Sequence, residues 1–452
     1  MLFNSYVSRR NYGDRIMKHI NPILLTALTC ALLPQISQAQ SLAQFINKTS
    51  ITGDLRTYYF DKLYDANNVQ NASAFSIGGL VNLKTAPFFS GFKVGLSFYT
   101  ANSLGLNNLS QLSHTDPTLM GYRNSIDALG QAYIKYSNRW GNIKVGDQLL
   151  KTPWMNPSDS RMLPVTYQAI YANIKPINGL NIYALREFRW KSKTSANYFK
   201  DNLYYAPGSG GTSYGGEGGL PANNGQTSGT LAFGASYNTN RNFNITSWYY
   251  NFYQFAHLFY TNAYLAIVNH TDVVPIFGAQ YVREWGSKSY LNNIAFNTEA
   301  GVGSNATAYG LLAGVKTPIG QLTIAYNILD NHSGSIGGGA IISPYTAGYT
   351  SDPLYTTSML RGLVELGPGH AWRMKYTTNL IRKQLLLTAA FAKYYTRYYD
   401  NANDLYFDVT YDPRVLKGLS VRDRIEIANG GISLEPGNKP FIYNRVMLQY
   451  AF

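Results

Sequence analysis

The chain has 452 residues, 38 of them Lys or Arg and 24 Asp or Glu, for a formal net charge of +14. It carries 38 Tyr, 21 Phe and 41 Gly but one Cys, and 14% of its residues are charged. A lone thiol excludes a disulfide framework, and basic residues scattered singly, without a Lys/Arg run, exclude a nucleic-acid arm.

The N-terminal stretch sets the compartment. Met17, Lys18 and His19 precede an apolar run over 23–33, then Pro34 and the small-residue site Ser37-Gln38-Ala39. This reads as a signal peptide over 1–39 with cleavage before Gln40, Met1 and Met17 being alternative starts. Cys30 lies inside the run behind Thr29, a poor lipobox residue, so a lipoprotein is not expected. The leader holds four basic residues (Arg9, Arg10, Arg15, Lys18) against Asp14, which leaves +11 of the +14 for the mature chain.

No later stretch approaches the roughly 18 apolar residues of a membrane helix. Period-two alternation appears instead. Over 49–60, Ile51, Gly53, Leu55 and Thr57 alternate with Thr52, Asp54, Arg56 and Tyr58. Strand-like stretches follow at 72–85, 92–101, 128–137, 142–152, 164–174, 180–191, 229–238, 243–254, 257–269 and 274–285. More follow at 304–316, 321–330, 369–378, 385–397, 404–413, 419–429 and 441–452. The last ends the chain on an apolar row, Val446, Leu448, Tyr450 and Phe452. A soluble sheet rarely leaves so greasy an edge strand uncovered, whereas in a closed barrel the last strand pairs with the first. The fold class is therefore all-β: one transmembrane antiparallel β-barrel over 40–452, with about eighteen strands.

Short turns (86–91, 138–141, 176–179, 238–242, 318–321, 416–418) alternate with long polar segments (101–127, 192–228, 330–368). This predicts tight periplasmic turns and long extracellular loops. The long segments are Gly-rich and read as linker-like.

Several stretches together resemble the OprD family of outer-membrane porins. They are Arg56-Thr-Tyr-Tyr-Phe60, 89–100 (FSGFKVGLSFYT), 104–107 (LGLN), 143–164 (IKVGDQLLKTPWMNPSDSRMLP) and 418–424 (GLSVRDR). Asp147, the Phe452 end and the Gly-rich 192–228 loop depart from the family pattern. The resemblance implies substrate-selective diffusion, inward loops that narrow the lumen, and a ladder of inward basic side chains guiding carboxylate-bearing solutes.

The constriction is expected from Ser158, Asp159, Ser160 and Arg161, in a loop stiffened by prolines, with an Asp159–Arg161 pair on an outer loop as the alternative. The ladder is expected from Arg56, Arg373, Lys375, Lys393, Arg422 and Arg424. These belong to a wider set of lumen cations with Lys84, Lys93, Lys135, Lys144 and Arg445. The Asp423 between the two arginines calls for a strand end or a bulge.

Gly211-Thr212-Ser213-Tyr214-Gly215 fits G-x-S-x-G but lacks the strand–turn–helix elbow that exposes a nucleophile. No catalytic residue, cofactor or metal site is expected: the histidines lack metal spacing, and the Asp/Asn groups near 61–67 and 400–404 lack the spacing of a calcium loop. The expected partners are outer-membrane lipid and lipopolysaccharide, the outer-membrane barrel assembly machinery and small solutes, in the outer membrane of a Gram-negative bacterium. Nucleic acid is not among them, and a homotrimer stands beside a lone barrel as a possible assembly. The competing functions are a barrel enzyme and an adhesin or structural barrel acting through its loops.

Overall fold

The computed structural model describes residues 48–65, 69–158, 160–200, 227–239, 242–268, 272–286, 303–345, 352–397, 400–431 and 440–452. The signal-peptide segment, Asp159 and the 211–215 motif lie outside them. The strands are β1 (Ser50–Tyr64), β2 (Ala72–Lys84), β3 (Phe92–Asn102), β4 (Ser125–Asn138), β5 (Gly141–Gln148) and β6 (Thr166–Ile174). They continue with β7 (Leu180–Lys191), β8 (Thr230–Thr239), β9 (Phe243–Phe252), β10 (Ala256–Ala266), β11 (Val274–Trp285) and β12 (Asn305–Thr317). The last six are β13 (Gly320–Leu329), β14 (Gly369–Leu380), β15 (Leu385–Thr396), β16 (Ala402–Tyr411), β17 (Leu419–Asn429) and β18 (Phe441–Ala451).

Each strand pairs antiparallel with its sequence neighbours, and β1 pairs with both β2 and β18, so the 18-stranded sheet closes. Two register shifts, at Ser97/Phe98 and Gln168/Ala169, are the irregularities among the described pairings. Closure satisfies the backbone of every strand without an edge. Among the described residues no helix is long and apolar enough to cross a membrane.

The alternation sorts side chains as the pattern predicted. In β18, Val446, Leu448 and Tyr450 face outward and are exposed, while Tyr443, Arg445 and Met447 face inward and are buried. In β1, Ile51, Leu55 and Tyr59 are exposed outside, while Arg56, Tyr58 and Phe60 are buried inside. The molecule is thus apolar outward, and its core lies within the barrel, where loops meet the wall. The turn regions at one end, such as the two residues between β4 and β5 and between β12 and β13, are short. The segments 103–124, 149–165 and 330–368 leave from the other end.

The seam sits at the short-turn end. The Phe452 N–H donates to the Gly53 carbonyl and the Gly53 N–H donates to the Phe452 carbonyl, each at 3.0 Å. A Cβ on Gly53 would lie 2.4 Å from the Leu80 carbonyl oxygen and 2.7 Å from the Phe452 ring, so only glycine fits beneath that ring. Gly53→Val and Phe452→Asp are each expected to prevent closure. The readout is the fraction of heat-modifiable barrel on unheated gels after refolding into micelles, and wild-type yields would refute the role assigned to this seam.

Candidate functional site in the barrel lumen

Among the described residues, segments 103–124, 149–165 and 330–368 turn into the lumen from the long-loop end, and each is held there by strand side chains. Segment 149–165 bridges the barrel. One arm buries Trp154 and Met155, with the Trp154 N–H 3.4 Å from the Tyr250 hydroxyl of β9 and its ring edge-on to Tyr260 of β10. The other arm buries Met162 and Leu163, and Arg56 of β1 donates through Nη1 to the carbonyls of Arg161 and Met162, both at 3.1 Å. Arg161 Nε donates to the Thr118 carbonyl at 2.9 Å, Nη1 donates to the Ser160 hydroxyl at 3.2 Å, and the guanidinium lies 5.3 Å from the Phe60 ring centre. The Ser160 N–H closes on the Ser158 carbonyl at 2.8 Å, with Ser158 at φ +44°. Ser158, Ser160 and Arg161 therefore stand on an inward loop.

Segment 330–368 corrects the sequence reading, which took it for a linker-like outer loop. Its described parts cross the lumen from β7 to β17. The Tyr345 hydroxyl donates to Glu187 of β7 at 2.7 Å, and the Ile342 N–H donates to Glu284 of β11 at 3.1 Å. The Tyr355 and Thr356 N–H groups reach Gln280 and Asn327 at 2.9 and 3.0 Å. Ser358 Oγ and the Met359 N–H both donate to Glu426 of β17 at 2.8 Å, and Arg361 Nη2 lies 2.7 Å from Asp404 of β16. Ile341, Ile342, Leu354, Leu363 and Leu366 are buried among wall aromatics. Averaged composition hid them. The missed signal was four acids (Glu187, Glu284, Asp404, Glu426) inside strands, where an ionisable group has a partner or a task.

Segment 103–124 is held by Asp116, which takes an ion pair from Lys62 at 2.8 Å, the Tyr443 hydroxyl at 2.6 Å and the Thr118 N–H at 3.0 Å. Burial pushes its carboxyl up, but Lys62, Tyr443 and Thr118 outweigh burial and hold it below its ordinary value.

The predicted ladder separates into groups. Arg56 and Arg373 clamp loops, Arg373 through Nη1 to the Thr357 carbonyl. Lys375, two residues along β14 from Arg373, is half-buried on the lumen face, and its ammonium makes no hydrogen bond or ion pair with another described residue. Arg422 and Arg424 share the lumen face of β17 as predicted. Both answer to Asp408 of β16: Arg422 Nε donates to it at 2.8 Å, and Arg424 Nε lies 3.7 Å from it while donating to Tyr406 at 2.9 Å. The intervening Asp423 needs neither bulge nor strand end. It points outward in an unbroken register opposite Val409 and Val446.

Lys393 does not line the lumen. Ala392 stands opposite Arg373, while Lys393 stands opposite outward Trp372, its ammonium 5.1 Å from the Tyr395 ring centre. The rule that charges point inward is strict at mid-membrane and relaxes near the interface, and Lys393 is three residues from the end of its strand.

A lysine row completes the wall. Lys93, Lys135 and Lys144 stand directly opposite one another on β3, β4 and β5, and Lys84 on β2 faces Gly95 two residues from Lys93. Like charges in direct cross-strand register repel, so the row favours an anion between them. Lys84, Lys93, Lys135, Lys144, Lys375 and Arg422 are exposed or half-buried and lie in the short-turn half of their strands. The clamping cations Arg56, Arg161 and Arg361, and Arg445 against the Phe60 and Tyr443 rings, are buried nearer the inward loops.

A profile described as outer membrane porin, OprD family, matches residues 43–331. No curated protein matches the chain. Among solved structures, Pseudomonas aeruginosa OccK9 (OpdG) is similar at 16% identity over 90% of this chain and 99% of its own, with a TM-score of 0.72. Acinetobacter baumannii OccAB1 is similar at 15% identity over 92% and 99%, with a TM-score of 0.72. Pseudomonas aeruginosa OpdK with vanillate is similar at 13% identity over 90% and 99%, with a TM-score of 0.67.

Since segment 149–165 bridges the lumen, deleting residues 156–161 is expected to raise single-channel conductance in planar bilayers. A heat-modifiable deletion variant with unchanged conductance would show that the loop does not limit the pore.

Proposed function

Because the chain belongs to the OprD family of outer-membrane porins, substrate-specific channels of the Gram-negative outer membrane, we propose that its solutes are small carboxylates guided by lumen cations. The observation that carries this reading is the uneven division of charge inside the barrel. Cations near the inward loops are spent on carbonyls and acids, whereas the Lys84, Lys93, Lys135 and Lys144 row, with Lys375, stays open to the lumen on the short-turn side. OpdK, similar in fold, has been solved with vanillate, an aromatic carboxylate.

A carboxylate that has passed the 149–165 constriction meets successive ammonium groups about one strand spacing, roughly 5 Å, apart. Each contact in a wet lumen contributes on the order of 1 kcal/mol, as for exposed ion pairs. Weak, repeated sites suit conduction, since a site that holds its solute stops the flow. Salt screens the preference. Arg422 and Arg424 take part to the extent that Asp408 releases them. The closing strand serves as the end that the barrel assembly machinery engages.

Lys93→Gln with Lys135→Gln is expected to slow carboxylate uptake several-fold in liposome swelling and to leave neutral solutes of similar size unchanged. Asp408→Asn is expected to shift the channel the other way, toward anions, by freeing Arg422. Equal slowing of both solute classes in the lysine variant would remove the carboxylate reading.

A further inference from the structure

The outer face carries its own charge pattern, which the channel function leaves unused. Within strands the outward cations are Arg186, Arg189, Arg283 and Lys393, all in the long-loop half of β7, β11 and β15. The outward acids Asp61, Asp127, Asp147 and Asp423 stand on β1, β4, β5 and β17, so from β7 to β15 the outer face has no acid among the described residues. Outward cations confined to the outer-leaflet end of an otherwise apolar arc mark a headgroup level.

Arg283 stands above an apolar groove on the same face. Its Nη1 donates to the carbonyls of Glu284 at 2.7 Å and Ala306 at 3.0 Å, which fixes the guanidinium and leaves Nε and Nη2 for an outside acceptor. Beside it, Tyr249, His257 and Trp285 stack, with His257 and Trp285 ring centres 5.6 Å apart. Below it on the same face the small side chains Ala263, Ala279 and Ala313 form the floor of an apolar groove of about 630 Å³, walled by Leu265, Phe277 and Leu311. Four residues of β11 separate Arg283 from Ala279, about 13 Å of strand, comparable to the reach of an acyl chain below its headgroup.

We propose that this face of β10–β13 binds one phosphorylated outer-leaflet lipid, its phosphate on Arg283 and an acyl chain in the groove over Ala263, Ala279 and Ala313. Arginine suits the role because its planar fork holds phosphate through two charge-assisted bonds. The aromatic stack is placed for the headgroup sugars, and the groove surface that hydrocarbon would meet is almost wholly apolar. The segregated outer charge also fits a second copy of the chain, acid arc to basic arc, and the test separates the two.

The full barrel, refolded in detergent, is mixed with bisphosphorylated lipid A or with the same lipid stripped of phosphate, and bound lipid is counted by native mass spectrometry. The wild type is expected to retain one phosphorylated lipid and to prefer it about tenfold, the scale of one charge-assisted contact. Arg283→Gln should level the two lipids, Arg283→Lys should restore part of the preference, and Ala279→Trp should lower retention of both. Heat-modifiability controls for folding. If Arg283→Gln does not refold, the wild-type preference and Ala279→Trp decide. Equal retention of both lipids by the wild type would overturn the proposal. So would a wild-type oligomer that Ala279→Trp dissociates without loss of lipid, which would make the groove an interface between copies.

Discussion

Every backbone N–H and C=O exposed to hydrocarbon must find its partner within the chain, and the pairing of β1 with β18 is where that demand is met last. Seventeen neighbouring pairs can form with the sheet still open, but an open edge in lipid is prohibitive. The seam explains features that look unrelated in sequence. Gly53 is there because the Phe452 ring and the Leu80 carbonyl leave no room for a Cβ. The seam's backbone bonds at the short-turn end are made between Gly53 and Phe452. The outer face can be greasy throughout because no strand edge is left to aggregate.

Closure also assigns the two faces different work. Lipid tolerates few charges, so acids and bases concentrate inward, in a space too wide for wall side chains alone to fill. Inward loops fill it, and buried loop backbone needs partners. Strand acids supply them: Glu426 accepts from Ser358, Met359 and Leu360, and Glu284 from Ser304 and Ile342. Strand arginines supply the complementary half, Arg56 and Arg373 donating to loop carbonyls. The lumen near the long-loop end is therefore a packed interior in which charges are consumed in pairs. Toward the short-turn end stands a row of cations that a passing solute can meet.

How far this could be read from the chain depends on the length scale of the signal. The period of two is local and repeated, so the eighteen strands, the outward row of 441–452 and the shared face of Arg422 and Arg424 were legible. Lys393 was not, because charge was used as a proxy for direction. Its neighbours Ala392 and Tyr394 are the buried ones, and near the rim a lysine can lie outside against Tyr395. Asp423 misled in a similar way: a single acid between the two arginines was taken to need a strand end or a bulge, and the register absorbs it unbroken. The inward course of 330–368 was hidden by averaging, since Gly and Ser dilute the apolar residues that pack. Its acidic anchors lie 43 to 158 residues away in sequence and become neighbours only when the barrel closes.

The lysine row follows from the same division of labour. Lys93, Lys135 and Lys144 in direct register repel one another, and a cross-strand pair of like charges costs a few tenths to about 1 kcal/mol. A sheet selected for stability alone would alternate the sign, as β16 and β17 do where Asp408 meets Arg424. That the repulsive arrangement spans three adjacent strands, in the half of the lumen where no loop consumes it, means the charge is held in reserve. Strands with continuous ladders on both sides can carry that load, because the backbone pairing of a closed barrel does not depend on any one side-chain pair. Stability is concentrated in the ladder and the loop anchors, and this frees the open part of the wall to be arranged for what passes through it.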